Sequence, residues 1–479
     1  MNYRMVLNIL GKVFLLEAFL LIFPMVIGIY YNENTLTAYL IPMAVLVLLG
    51  APFSLLRVKD KSIYAKEGFV VVSLAWILMS AIGAVPFVIS GAIPSYVDAL
   101  FETVSGFTTT GSTVIPNVEV ISKSILFWRA LTHWVGGMGV LVFVLALTPG
   151  YNSGGMHVLR AESPGPTVGK LVSKLSFTAR ILYAIYFGMT VILIILLLVG
   201  GMPLFESVVH AFATAGTGGF GVKGDSFASY GTYHQVVVAV FMLLFSINFN
   251  VYYLILIGNV KKAFKSEEFK AYMIIIFVAT LSIALNILTQ VGNFGEALKH
   301  SFFQVTSISS TTGFASTDFQ TWPDLSKSII MVLMIIGACA GSTGGGIKVS
   351  RLVILVKSVW ADLKRMLHPS AVVAVKFENE PLAKETERNV HSYFTIYVLI
   401  VAVCSLILCL DVNDFLTNFS ATLSCMGNIG PGFNLVGPMA NFALYSPLSK
   451  ILLSLLMLVG RLEIFPIILL FTPRTWKKS

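Results

Sequence analysis

The chain has 479 residues, of which 56% are hydrophobic and 11% are charged. Apolar stretches of about 20 residues, long enough to cross a membrane as a helix, recur along its whole length, which excludes an ordinary soluble domain. The formal net charge of +9 does not indicate a nucleic-acid partner, because the basic residues lie between apolar stretches and form no single patch.

The lysines and arginines collect in alternate loops. These basic segments are Arg57 to Lys66, Arg160 to Arg180, Lys261 to Lys270, Arg351 to Arg388 and Arg474 to Lys478. By the positive-inside rule they are cytoplasmic, which also puts the N-terminus inside. We therefore expect a multi-pass membrane protein in contact with lipid.

Two spans open the chain, at residues 6–29 and 36–56, and the first is expected to be a retained helix because no small-residue cleavage site follows it. After this N-terminal pair (residues 1–67), a long span, a short amphipathic segment and a second long span recur four times. In the first unit the spans are 69–90 and 124–148, around the segment 97–110. The expected repeats are 68–177, 178–269, 270–388 and 389–479. The predicted fold is an all-α polytopic membrane protein, with four span–pore helix–span repeats around a pseudo-fourfold pore.

Each short segment ends in a Thr/Asn-x-Gly break. The four breaks are Thr109-Thr110-Gly111, Thr217-Gly218-Gly219, Thr311-Thr312-Gly313 and Asn428-Ile429-Gly430. Gly427 offers a rival register in the fourth repeat, and Gly430 is preferred because it places Asn428 level with the threonines. The second repeat departs from the others through Gly216 and the paired Gly218-Gly219, so its register is open.

A ring of backbone carbonyls can replace the hydration shell of a potassium ion. Glycine allows the backbone angles that turn such carbonyls inward, and threonine or asparagine adds side-chain oxygens. A single Thr-x-Gly is more often ordinary loop punctuation. Four of them, each after a short segment between two spans, favour a selectivity filter made by one chain.

Each short segment also begins near an acidic residue, and these are Asp98, Glu206, Glu296 and either Asp411 or Asp414. Helix capping explains this placement, and a cation-concentrating outer mouth is the alternative. The two roles are compatible.

A second glycine-rich break lies inside the last span of the third repeat. It comprises Gly341, Ser342, Thr343, Gly344, Gly345 and Gly346, with Lys348 just beyond. The spacing does not fit a phosphate-binding loop, since Val349 occupies the Ser/Thr position and no strand precedes it. A kink for close helix packing is one interpretation, and a mobile gate below the filter is the other.

Arg461 lies within an apolar span, two residues from Glu463. We expect it to line the inner pore and touch the glycine loop, with a local ion pair to Glu463 as the alternative.

Arg129 and His133 share one helical face near two tryptophans, which favours interfacial anchoring. Gly136 to Gly139 is interpreted as a site of close helix packing. The four cysteines are expected to be small core residues.

These features together resemble the Trk/Ktr/HKT superfamily of potassium transporters, and within it the bacterial TrkH/TrkG branch of membrane subunits. The resemblance rests on the four repeats, the extra N-terminal pair and three stretches, which are His133 to Gly139, Thr311 to Phe314 and Asn428 to Gly432. It implies that Gly111, Gly219, Gly313 and Gly430 are filter glycines, that Gly341 to Gly346 is an intramembrane gating loop, and that Arg461 is a pore arginine.

The resemblance further implies a homodimer in the bacterial cytoplasmic membrane, each protomer having its own pore. A cytoplasmic regulatory ring of the TrkA type would bind the nucleotide, and the chain itself would carry no cofactor, with potassium as its substrate. A secondary transporter usually has two inverted repeats and internal carboxylates, and a membrane enzyme needs clustered polar groups. Neither pattern is present, so we expect no enzyme.

Overall fold

The computed structural model describes residues 1–58, 65–139, 175–371, 373–412 and 414–476. The end of the predicted span 124–148, much of the second basic segment and the last residues of the tail lie outside these ranges. The N-terminal pair consists of α1 (Tyr3–Leu20), α2 (Ile22–Tyr30) and α3 (Leu36–Ser54). Gly11 and Gly50 bring α1 and α3 together, because a Cβ on Gly11 would lie 2.8 Å from the Gly50 carbonyl oxygen.

The first two repeats follow the expected order of long helix, short helix and second helix. In the first repeat these are α4 (Ala65–Gly83) continuing into α5 (Val85–Ile89), then α6 (Tyr96–Phe107) and α7 (Lys123–Gly137). The second has α8 (Leu175–Val199), α9 (Leu204–Ala215), α10 (Thr232–Ser246), α11 (Phe249–Leu256) and α12 (Val260–Lys265).

The third and fourth repeats repeat the order. The third has α13 (Glu267–Val291), α14 (Phe294–Ser309), α15 (Asp324–Ile336) and α16 (Val349–Leu367). A hairpin of β1 (Lys376–Phe377) and β2 (Glu380–Pro381) follows. The fourth has α17 (Lys384–Leu408), α18 (Phe415–Gly427), α19 (Pro447–Arg461), α20 (Phe465–Phe471) and α21 (Pro473–Trp476). The two strands of the hairpin are antiparallel, with Lys376 opposite Pro381. The prediction of an all-α fold did not include this hairpin.

Among the described residues, six helical segments are long and apolar enough to cross a membrane, or seven when the bent pair α10–α11 counts as one span. They are the two N-terminal spans and the first helix of each repeat, plus that pair. The second helices of the second, third and fourth repeats are interrupted. The sequence predicts such a break in the third repeat alone, whereas α10 and α11 also meet at 90°. The segment between α19 and α20 contains Glu463 and Ile464, both with positive φ.

The acidic residues at the starts of the short helices act on helix N-termini, as predicted. Asp98, Glu206 and Glu296 lie in the first turns of α6, α9 and α14. In the fourth repeat Asp414 is the N-cap of α18 and accepts a hydrogen bond from the Thr417 amide. Asp411 instead accepts from the Ser446 amide, 2.7 Å away. Asp411 and Asp414 thus satisfy free amides, whereas the three first-turn carboxylates lie where they interact favourably with the helix dipoles.

Candidate functional site

The four segments that follow the short helices share one backbone conformation. Their first residues have left-handed φ values of +55° at Thr109, +54° at Thr217, +61° at Thr311 and +54° at Asn428. Two residues later the glycines have φ of +82° at Gly111, +81° at Gly219, +85° at Gly313 and +109° at Gly430. Gly427, by contrast, is the last residue of α18. The register that repeats four times is therefore the one containing Gly430 and Gly219.

These segments meet in a closed ring. Each glycine faces the carbonyl of the middle residue in the next repeat, so that a Cβ would collide with it. The distances from such a Cβ are 1.9 Å for Gly111 to Gly218 O, 2.1 Å for Gly219 to Thr312 O, 2.1 Å for Gly313 to Ile429 O and 2.9 Å for Gly430 to Thr110 O. The contacts run from repeat 1 to 2, 3, 4 and back to 1. Only glycine combines the positive φ with this close approach.

Side chains around the ring hold the Gly430 carbonyl and join the fourth segment to the first, and two side-chain oxygens have no hydrogen-bond partner in the described part of the chain. Gly430 O accepts from the hydroxyls of Ser112 and Ser424, at 2.9 and 2.7 Å. Asn428 Nδ2 donates to Thr110 Oγ1 at 3.0 Å, which joins the fourth segment to the first. Among the described residues, two buried oxygens at equivalent ring positions have no hydrogen-bond partner, Oγ1 of Thr109 and Oδ1 of Asn428.

One cavity among the described residues opens onto the ring. All four ring glycines line it, together with Ser112, Phe220 and the side chain of Arg129. The four repeats thus share one entrance, which is polar at its base because backbone carbonyls surround it.

Arg129 and His133 do not anchor the chain at a membrane interface, so that prediction was wrong. Arg129 is buried and pairs with the fully buried Glu102 at 2.8 Å. Glu102 also accepts from the Thr113 hydroxyl, at 3.0 and 3.1 Å, and from the Val114 amide at 3.0 Å. The ion pair therefore holds the irregular segment after Gly111, at Thr113 and Val114. Glu102 is the one charged residue in the short first segment 101–111. A lone carboxylate there was the sequence signal for a buried cationic partner.

His133 supports the first and second repeats where they meet. Its Nδ1 lies 2.7 Å from the Gly106 carbonyl oxygen, and a Cβ on Gly218 would lie 2.3 Å from its ring. The predicted close packing at Gly136 and Gly137 is confirmed, since a Cβ on Gly136 would lie 1.9 Å from Phe107 O. The helix α7 is thus built to touch the backbone of the ring-forming segments.

The glycine loop packs against the inner ends of the third and fourth short helices. It connects α15 to α16, and the amide of Gly345 donates to Thr311 Oγ1 at 2.6 Å. A Cβ on Gly345 would lie 2.3 Å from Gly427 O, and one on Gly344 would lie 2.7 Å from Ser310 O. Lys348 has φ of +81°, and its ammonium group donates to the Gly344 carbonyl. The loop therefore lies directly beside the ring.

Arg461 connects this loop to the first repeat. Its guanidinium donates to Thr343 O at 2.8 Å and to the carbonyls of Gly136 and Gly137 at 2.6 and 2.7 Å. The nearby Glu463 pairs with Arg351 of α16 at 2.6 Å. The contact between Arg461 and the glycine loop is the one expected, and the carboxylate of Glu463 is engaged by another helix.

Comparison with known proteins gives consistent matches over the full length. The profile of the TrkH family, described as cation transport protein, matches residues 37–478. The "Trk system potassium uptake protein TrkH" of Escherichia coli K12 is 33% identical over 488 residues, covering 100% of both chains. TrkG of the same organism is 30% identical and covers 99% of both chains.

A solved structure also matches. The crystal structure of the potassium transporter TrkH from Vibrio parahaemolyticus superposes with a TM-score of 0.89 at 31% identity, covering 100% of both chains. This match confirms the predicted fold class of an all-α polytopic membrane protein, with several spans and one bent helix pair among the described residues.

Proposed function

Because the chain belongs to the TrkH family of cation transport proteins, we propose that it takes up potassium through a gated, channel-like pore. Its relatives TrkH and TrkG of Escherichia coli K12 are named potassium uptake proteins. The substrate is the potassium ion itself, and the protein acts as a membrane subunit of a Trk system. No chemical reaction is assigned to it.

The observation that carries this proposal is the closed ring of four glycines and four carbonyls. A dehydrated potassium ion needs several oxygens at once, and four inward-turned backbone segments supply them. The proposed ion-binding residues are the four triplets Thr109 to Gly111, Thr217 to Gly219, Thr311 to Gly313 and Asn428 to Gly430. Their rigid backbone contacts support discrimination by ring geometry.

We assign gating to Gly341–Gly346, Lys348 and Arg461. Support comes from the position of this loop beside the ring and from the three carbonyls that Arg461 holds. Because the loop is fixed by hydrogen bonds and not by a continuous helix, it can move without unfolding a span.

The remaining assignments follow from the family and from the charge pattern. We propose a homodimer in the bacterial cytoplasmic membrane, with the N-terminus and the basic segments inside and one pore per protomer. A nucleotide-binding ring of the TrkA type would dock on the basic side. The repeat bounds 68–177, 178–269, 270–388 and 389–479 remain a prediction. The acidic residues Asp98 and Glu296 are paired with Lys450 and Lys299, which favours a structural role at the helix N-termini over a strongly cation-concentrating mouth.

The experiment that tests the proposal is rescue of a bacterium that lacks potassium uptake. Wild-type protein should restore growth at low potassium, and Gly313→Ser should not, because its Cβ would lie 2.1 Å from Ile429 O. Gly188→Ala serves as the control, since nothing lies within 4 Å of its Cβ. Equal rescue by Gly313→Ser at matched expression would count against the filter, and absence of rescue by wild type would count against potassium uptake.

A further inference from the structure

A buried carboxylate holds the base of the glycine loop. Glu268 lies in the first turn of α13 and is 4% exposed. Its Oε1 accepts the amide of Ala340 at 2.7 Å and the amide of Ser350 at 3.1 Å. Ala340 immediately precedes Gly341, and Ser350 lies in the first turn of α16. One oxygen therefore joins the two ends of the loop.

Other contacts at the two ends of the loop come from backbone amides and from Arg351, whose guanidinium donates to Ile347 O at 3.1 Å. Lys348 N donates to Ile336 O at 3.0 Å, and Val349 N donates to Ala338 O at 3.1 Å. From the second repeat, Phe249 N donates to Gly341 O at 3.0 Å. Glu268 differs from these contacts because a single side-chain oxygen accepts from both ends of the loop, so its loss would leave two buried amides without a partner.

Glu268 is itself held by the hairpin on the basic side of the protein. Glu378, at the turn of the hairpin, accepts from the Ser266 hydroxyl at 2.7 Å and from the Glu268 amide at 3.3 Å. The neighbouring Glu267 accepts from Lys357 of α16 and from the Glu378 amide. A polar connection thus runs from the hairpin through the start of α13 to the loop.

We propose that Glu268 is a positioning residue that keeps the glycine loop closed against the ring, and that Glu378 of the hairpin sets its position. This inference rests on the proposed gating function of the loop. Displacement of the hairpin would withdraw Glu268 from the amides of Ala340 and Ser350 and so release both ends of the loop together. The filter, formed by other residues, would keep its ion preference.

The test uses purified full-length protein in liposomes and measures uptake of ⁸⁶Rb⁺ without any regulatory subunit. Glu268→Ala removes two hydrogen bonds and leaves the buried amides of Ala340 and Ser350 unpaired, so it should raise basal uptake about tenfold or more. Glu268→Gln retains an acceptor oxygen and should give a smaller rise. Glu378→Ala should also raise uptake, and combining it with Glu268→Ala should add little. The selectivity for Rb⁺ over Na⁺ should not change in any of these variants.

A second readout follows the loop base directly. Cys339 is buried next to Ala340, so in a protein with the other three cysteines replaced by alanine it should react faster with a small thiol reagent when Glu268 is changed. Glu385→Gln, an exposed carboxylate at the start of α17, is the control and should alter neither reading.

The outcomes separate this inference from the gating proposal. Gly345→Ala disturbs the loop directly, since its Cβ would lie 2.3 Å from Gly427 O. If Gly345→Ala changes uptake while Glu268→Gln and Glu268→Ala match wild type in both readings, or reduce uptake, the role of Glu268 is overturned. If neither loop nor Glu268 variants change uptake, the gating assignment itself fails. Should Glu268→Ala not fold, Glu268→Gln alone decides.

Discussion

Replacing Arg129 by methionine should destabilise the protein far more than replacing an exposed arginine. In the wild type Arg129 and Glu102 are 2% and 0% exposed and lie 2.8 Å apart. The variant keeps an apolar stem of similar length but leaves the Glu102 carboxylate buried without its cation. The Thr113 and Val114 donors remain, and they offset only part of the desolvation.

The expected magnitude follows from the cost of one unpaired buried charge. Removing one partner of a buried ion pair typically costs about 3–5 kcal/mol of unfolding free energy. Arg365 pairs with Asp362, and these side chains are 40% and 54% exposed, so Arg365→Met should cost about 1 kcal/mol or less. The double variant Glu102→Gln, Arg129→Met removes both charges and should recover part of the loss.

The assay is thermal unfolding of purified protein in detergent, monitored by the fraction of the protein that remains monodisperse. Arg129→Met should lower the melting temperature clearly, Arg365→Met hardly, and the double variant by an intermediate amount. In liposomes the surviving Arg129→Met protein should also discriminate less well between K⁺ and Na⁺, because the segment after Gly111 is no longer held by the ion pair of Arg129 and Glu102. Equal melting temperatures for Arg129→Met and Arg365→Met would refute the reasoning.

Three further predictions concern packing, the inner arginine and pH. Gly136→Ala should abolish stable expression, since its Cβ would lie 1.9 Å from Phe107 O, whereas Gly188→Ala, with nothing within 4 Å, should stabilise the helix by up to roughly 0.5–1 kcal/mol. Arg461→Ala should raise basal ⁸⁶Rb⁺ uptake because it releases Thr343 of the glycine loop. Arg461→Lys should restore little of the low basal uptake, because an ammonium lacks the planar fork that reaches three carbonyls. Unchanged uptake in both variants would contradict the assignment of Arg461 to the pore. Hydrogen bonds from Thr417 and Asn434 hold the pKa of Asp414 below its usual 3.8, so its stabilisation is present above that value and is lost as the pH falls through the lowered pKa. Asp414→Ala should cost about 1 kcal/mol at neutral pH, and melting curves in acid should show that gap closing; a gap that widened in acid would contradict this sign.

The long apolar stretches and the short segments could be predicted because their signals are local. Span length follows from hydrophobic thickness, and α6, Tyr96–Phe107, lies close to the predicted segment 97–110. The pattern also indicated the positive φ of the four glycines, since glycine tolerates it. The positive φ of Thr109, Thr217 and Thr311 was not predicted, because β-branched residues rarely adopt it.

The missed features depend on partners distant in the sequence. Ile464 has φ of +64°, which no local preference of a β-branched residue would suggest. It follows Glu463, which is engaged by Arg351, 112 positions away. The tryptophans beside Arg129 favoured an interfacial position, whereas its actual partner Glu102 lies 27 residues earlier, beyond any helical spacing. Burial of a charge is decided by such tertiary pairs.

The most direct test of the central claim, that four unequal segments form one potassium-selective ring, is the reversal potential of the purified protein between K⁺ and Na⁺ solutions. The ring predicts a K⁺-selective potential for wild type. Gly313→Ser should shift this potential toward zero, because the φ of +85° and the contact with Ile429 O leave no room for a side chain. A wild-type potential near zero, or one left unchanged by Gly313→Ser, would contradict the claim.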